Sequence, residues 1–230
     1  MGKVRILSRS SQQFMDRIEA GQLLAHELSN IRTEKPVILA IPRGGVIVGR
    51  EIARELGAEL DVVLARKLRT PGQLELAMGA VAEDGSLYLN QSLVQRFGIS
   101  EGLIQEEKIR QLAELSRRTQ LFRNVRPKVP LKGRIVVITD DGLATGATTF
   151  AAIHSIHQEK PERLIAAFPV APEESIIELA QLADEVICLR TPPIFMAVGQ
   201  FYRRFQQIED NEVLEILKES QTTESKVTGK

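Results

Sequence analysis

Apolar and polar positions along the chain follow two periods. Phe14, Ile18, Leu23, Leu24 and Leu28 recur at roughly helical spacing and predict an amphipathic helix over about 11–29. Pro36 opens the apolar run 37–41, which has the length of a buried strand. Pro42-Arg43-Gly44-Gly45 stops it, and 46–56 reads as a helix closed by Gly57. A second strand is expected at 60–65. From 66 to about 84 the pattern loosens around Pro71, Gly72, Gly79 and Gly85 and predicts a long irregular loop. Leu112, Leu115 and Leu121 among charges predict a helical insertion over about 91–125, ended by Pro127 and Pro130. Further strands are expected at 135–139, 163–168 and 185–189, with helices after the first and, behind Pro172, at 173–182. A proline- and aromatic-rich segment at about 191–208, a short helix near 210–219 and a disordered polar tail at 220–230 complete the chain. Strands alternating with helices predict an α/β fold: one domain over 1–219 with a doubly wound, mainly parallel five-stranded sheet.

Composition narrows what this frame can do. At 230 residues the chain can bury one substantial core. Its 30 basic and 30 acidic residues balance, which removes any global electrostatic case for nucleic acid or a membrane surface as partner. The single cysteine, Cys188, lies in the apolar run 185–189 and reads as a buried structural thiol. No apolar stretch reaches bilayer length and the N-terminus has no apolar core of signal length, so a cytoplasmic location is expected. His154 and His157 stand three apart on a predicted helix without an adjacent Glu or third ligand, which favours a helix-face role over a zinc site. There is no Gly-x-Ser-x-Gly elbow for nucleophilic hydrolysis.

The densest chemistry lies at 136–149. An apolar strand ends in Asp140 and Asp141, then runs through Gly142-Leu143-Ala144-Thr145-Gly146-Ala147-Thr148-Thr149 into a helix. Two acceptor-only carboxylates at a strand's carboxyl end suit vicinal hydroxyls or a metal-bound hydroxyl. The turn offers backbone N–H groups and the Thr145 and Thr148 hydroxyls to a phosphate monoester, with the helix dipole behind them. An ordinary strand–turn–helix with a solvated acidic pair leaves the hydroxyl-rich turn unexplained. A nucleotide P-loop fits less well, because no Gly-Lys-Ser/Thr follows Gly146.

Asp-Asp-Gly-Leu-Ala-Thr-Gly-Ala-Thr at 140–148 resembles the phosphoribosyl diphosphate (PRPP) signature of type I phosphoribosyltransferases. The wider pattern over about 35–205 is similar to a stand-alone group of bacterial phosphoribosyltransferase-like proteins. The resemblance implies the type I fold, with 191–208 as a hood over the acceptor. It implies that Asp140 and Asp141 bind the ribose hydroxyls and, indirectly through PRPP, Mg²⁺. Ala144, Thr145, Gly146, Ala147 and Thr148 would bind the 5-phosphate. Arg43, Gly44 and Gly45 would form a diphosphate loop, whose glycines let the backbone approach and whose arginine can pair in bidentate fashion. Arg66 and Lys67 would add positive charge at the second strand's end, before a loop that closes over the reaction. Asp140, Asp141, Lys67 and Arg43 are the implied catalytic groups. Phe195 and Val198 would form the acceptor platform, although packing of a subdomain accounts for these aromatics equally well.

The implied activity is Mg²⁺-dependent phosphoribosyl transfer from PRPP to a nitrogen nucleophile, nucleobase-like in character, with release of diphosphate. PRPP, that acceptor and a second copy of the chain are the expected partners; membrane and nucleic acid are not. One departure bears on the acceptor. Members acting on 6-oxopurines often carry a carboxylate directly before Thr-Gly, and here that position is Ala144. Two other classes remain open. One is a PRPP-sensing regulator without transferase activity, for which Arg117, Arg118, Arg123, Arg126 and Lys128 would offer a basic face. The other is an assembly partner built on the same fold.

Overall fold

The computed structural model describes residues 1–228, with the side chains of 74, 75 and 222–228 outside that description. Strand β1 (Lys3–Ile6) precedes helix α1 (Arg17–Glu27), which starts later than its apolar stripe suggests. The carboxylate of Asp16 accepts from the N–H groups of Ile18 and Glu19, at 3.1 and 3.2 Å, and fixes the first turn there. Strand β2 (Val37–Ala40), helix α2 (Gly45–Leu56) and strand β3 (Glu59–Val62) follow, with Gly57 at φ 62° closing α2 in the left-handed region.

The expected irregular segment is instead ordered as β-structure. Strands β4 (Ala65–Thr70), β5 (Gln73–Ala82) and β6 (Leu87–Leu89) form a separate antiparallel sheet in that order. Gly72 and Gly85, at φ 72° and 86°, serve its two turns. Leu68, Met78 and Ala80 are buried, so these glycines punctuate a meander rather than a loose loop. The insertion comprises α3 (Gln91–Arg96) and α4 (Glu101–Arg123). Arg123 anchors its far end, donating to Asp61 Oδ1, Glu83 Oε1 and the Val62 carbonyl at 2.6, 2.9 and 2.9 Å.

The chain then forms β7 (Ile135–Thr139), α5 (Ala147–Gln158), β8 (Arg163–Val170), α6 (Glu173–Leu179) and β9 (Glu185–Arg190). The central sheet has six strands rather than five, all parallel, in the order β1-β9-β8-β7-β2-β3. The added strand is β1, whose alternating Lys3 and Arg5 mark a half-covered edge and conceal it among apolar runs. Period-two alternation then splits the core. Ile38, Ala40 and Val137 face the side holding α1, α2 and α7 (Asp210–Thr228), while Leu39, Val136 and Ile138 face α5 and α6. Helix α7 extends through much of the expected disordered tail; residues 229–230 of that tail lie outside the described residues. Among the described residues, no helix is long and apolar enough to cross a membrane.

Candidate active site

Two strand ends meet at the point where the strand order reverses. From β2 the chain moves outward to β3, and from β7 it moves the other way to β8, which opens a crevice at the carboxyl ends of this neighbouring pair. Asp140 and Asp141 follow β7; Pro42 to Gly45 follow β2. The two turns interlock closely. A Cβ on Gly44 would collide with Asp141 Oδ2, and one on Gly45 would lie 2.7 Å from the Asp140 Cα, so both positions require glycine.

A cleft of about 430 Å³ opens here, lined by Asp140 and Thr148 together with Arg66, Lys67 and Arg69 of β4. The structure thus brings together four of the residues expected from sequence: Asp140, Thr148, Arg66 and Lys67. Arg66 is held by Gln111 of α4, its Nε donating to Oε1 at 2.8 Å, whereas Lys67 and Arg69 are exposed and their side chains have no ion-pair partner among the described residues. Behind Thr148, the start of α5 has no side-chain cap among the described residues. Gly146 occupies its N-cap position at φ 73°, leaving the first-turn N–H groups available to an anion. Ala144 and Thr145 lie exposed on the same turn, and Ala147 is buried against Ala80 of β5.

Two expected residues are otherwise engaged. Arg43 is absent from the cleft lining and donates from Nη1 to Glu209 Oε2 at 3.0 Å. Asp141 is paired with Arg17, whose Nε and Nη2 both lie 2.8 Å from Oδ2. Arg17 also donates from Nη1 to the Gln206 carbonyl at 2.8 Å and stacks on the Phe205 ring, 3.9 Å from its centroid. The Tyr202 hydroxyl donates to the Asp141 carbonyl at 2.5 Å. Arg17 therefore ties the acidic turn to the C-terminal segment, a role the sequence reading missed. Apolar spacing pointed elsewhere: Ile18 and Leu23, counted on the stripe of this helix, are exposed, and α1 instead buries Arg17, Ala20, Gly21, Leu24 and Ala25.

The electrostatics separate the two acids. Burial and then the adjacent Asp141 carboxylate push Asp140 well above the ordinary carboxylate range. Burial raises Asp141 too, against the pull of Arg17. Burial, reinforced by Asp141, likewise raises the Tyr202 phenol. Asp140 makes no ion pair among the described residues, and a carboxylate lining a basic cleft suits a hard divalent cation that arrives with substrate oxygens. His154 and His157 are each spent on a backbone carbonyl, of Phe150 and Leu182 respectively, which matches the helix-face role.

The C-terminal segment lies against the acidic turn. A Cβ on Gly142 would meet Val198 Cγ1 at 2.6 Å, so Val198 rests directly above that turn. Phe195 packs on Phe201 with ring centroids 5.0 Å apart. Phe14 forms a bridge with Tyr202, joining the residues before α1 to the same subdomain.

Known proteins share this fold. The chain belongs to the phosphoribosyl transferase family: the family model described as a phosphoribosyl transferase domain matches residues 12–206. It is 44% identical over 204 residues to a Mycobacterium tuberculosis protein named "Putative phosphoribosyl transferase", in strains CDC 1551 and H37Rv, covering 89% of this chain and 46% of that protein. The chain thus spans about half the length of these curated relatives. It is also similar to the crystal structure of TT1426 from Thermus thermophilus, with TM-score 0.79 and 45% identity, covering 90% of this chain and 99% of that one.

Proposed function

We propose that this protein transfers the phosphoribosyl group of Mg²⁺-bound PRPP to a nitrogen nucleophile, releasing diphosphate. The observation that carries this reading is the cleft in which Asp140 and Thr148 share walls with Arg66, Lys67 and Arg69. The α5 N-terminus and Thr148 supply remote binding energy by holding the 5-phosphate. Asp140 orients the ribose hydroxyls and faces the positive charge that develops at C1. Arg66 and Lys67 receive the departing diphosphate as the C1–oxygen bond breaks and the nitrogen–C1 bond forms on the opposite face. Gly44 and Gly45 let their turn close onto the acidic turn, which keeps Pro42 and Asp140 on the same cleft wall. Mg²⁺, when bound, supplies Lewis-acid stabilisation of the leaving diphosphate. Arg43 joins the diphosphate only after release from Glu209, and Asp141, held by Arg17 and Tyr202, supports Asp140 by donating its backbone N–H to Asp140 Oδ1 at 2.7 Å. Val198 and Phe195 supply an apolar wall for a planar acceptor. Ala144 provides no carboxylate for a purine N7 proton, which weighs against a 6-oxopurine acceptor.

Diphosphate release from Mg²⁺·PRPP, followed across nucleobases, pyridine carboxylates and simple amines, tests the reading. Release with at least one acceptor, abolished by Asp140→Asn, is expected. PRPP binding without turnover on any acceptor would instead favour a PRPP-sensing regulator, and unchanged PRPP affinity in Asp140→Asn would remove the central assignment.

A further inference from the structure

We propose that the insertion helix α4 is a positioning device for the leaving-group side of the cleft, with Gln111 aiming Arg66 and Glu107 setting Gln111. This proposal rests on the transferase reading above. Three cationic side chains line the cleft, and among the described residues Arg66 alone of them is fixed by a hydrogen bond, the 2.8 Å contact from its Nε to Gln111 Oε1. Gln111 is itself buried and lines the cleft. Its amide donates from Nε2 to Glu107 Oε1 at 2.9 Å. A guanidinium can only donate and a carboxylate only accept, so the amide orientation follows from its two neighbours. Glu107 is fixed in turn: its Oε1 accepts from the backbone N–H of Arg69 at 3.1 Å, and its Oε2 accepts from Arg110 Nε at 2.8 Å. One carboxylate of α4 thereby grips β4 by its backbone and, one turn further on, orients the residue that holds Arg66. Burial opposes the Glu107 charge, but these donors outweigh it and hold its pKa below the usual carboxylate value.

The choice of glutamine has a physical reason. A carboxylate at 111 would neutralise Arg66 and face Glu107 with a like charge. An amide orients the guanidinium through Nε without cancelling its charge, leaving Nη2 free of any partner among the described residues and Nη1 only 3.8 Å from the exposed Glu114. An arginine aimed in advance loses less side-chain freedom when an anion arrives.

Inorganic diphosphate and ribose 5-phosphate, titrated separately by calorimetry into the full chain, test the proposal. Gln111→Leu is expected to weaken diphosphate binding about tenfold while changing ribose 5-phosphate affinity less than twofold. Arg66→Ala should cause a similar loss, and the double variant should lose little more than either single one, because the two act as one unit. Additive losses, or diphosphate affinity unchanged by Gln111→Leu, would overturn the assignment while leaving the transferase reading intact. If Gln111→Leu loses both ligands together, Gln111→Glu decides: weakened diphosphate binding alone supports the relay, and parental affinity refutes it. A parent protein that binds neither probe would overturn the transferase reading and this proposal with it.

Discussion

At the scale of single residues, the Arg17–Asp141 pair sets the character of the site. Both side chains are largely buried, at 7% and 15% exposure. Removal of one partner leaves a charge with neither water nor a counter-ion, a situation that costs about 3–5 kcal/mol. Arg17→Leu is expected to lower unfolding free energy by that amount in urea titration, and Arg17→Leu/Asp141→Leu should recover part of it. Losses that simply add would mean that the pair is not coupled. Gly44 imposes a second constraint at this scale. The space its side chain would need is occupied by the paired carboxylate, so Gly44→Ala must push Asp141 and Arg17 apart. We expect a stability loss of about 1–3 kcal/mol, read in the same titration, together with weakened PRPP binding. The identity of Asp141 was legible from sequence; its partner was not, because Arg17 lies 124 positions away on a helix whose apolar spacing does not mark the face it buries.

At the scale of elements, segment 65–82 shows where local patterning misleads. Its one proline and two glycines suggest a loop, yet each serves a turn or a close approach: Gly79, for instance, lies directly against the Tyr88 carbonyl of β6. The antiparallel β4–β5 pairing stabilises the basic wall in the absence of ligand. Hydrogen exchange is therefore expected to be slow for the amides of 66–68 and 79–82 and fast at Gly72 in the turn. Uniformly fast exchange across 65–82 would restore the mobile-loop description. Long helices such as α4 were visible from their apolar spacing, whereas the use of α4 was not. Glu107 and Gln111 read as ordinary polar positions until β4 packs beside them.

At the scale of the whole molecule, Cys188 reports on cooperativity. It lies fully buried in β9, between β1 and β8, and burial pushes its thiol up to about 12. A thiol reagent should react with the native protein only through global opening, at a rate that rises with denaturant in parallel with unfolding. Rapid labelling in native buffer would show that this edge of the sheet opens separately. The sequence alone determined the parallel α/β frame and the acidic, hydroxyl-rich turn at 136–149, since both are written in contiguous residues through local periodicity, turn chemistry and helix-terminus physics. Only the tertiary structure decided the partners of that turn: Arg17 against Asp141, the β4 cations across from Asp140, and Val198 over Gly142. Those contacts join residues far apart in the chain, and the strand order that brings them together depends on how both faces of one sheet are covered at once.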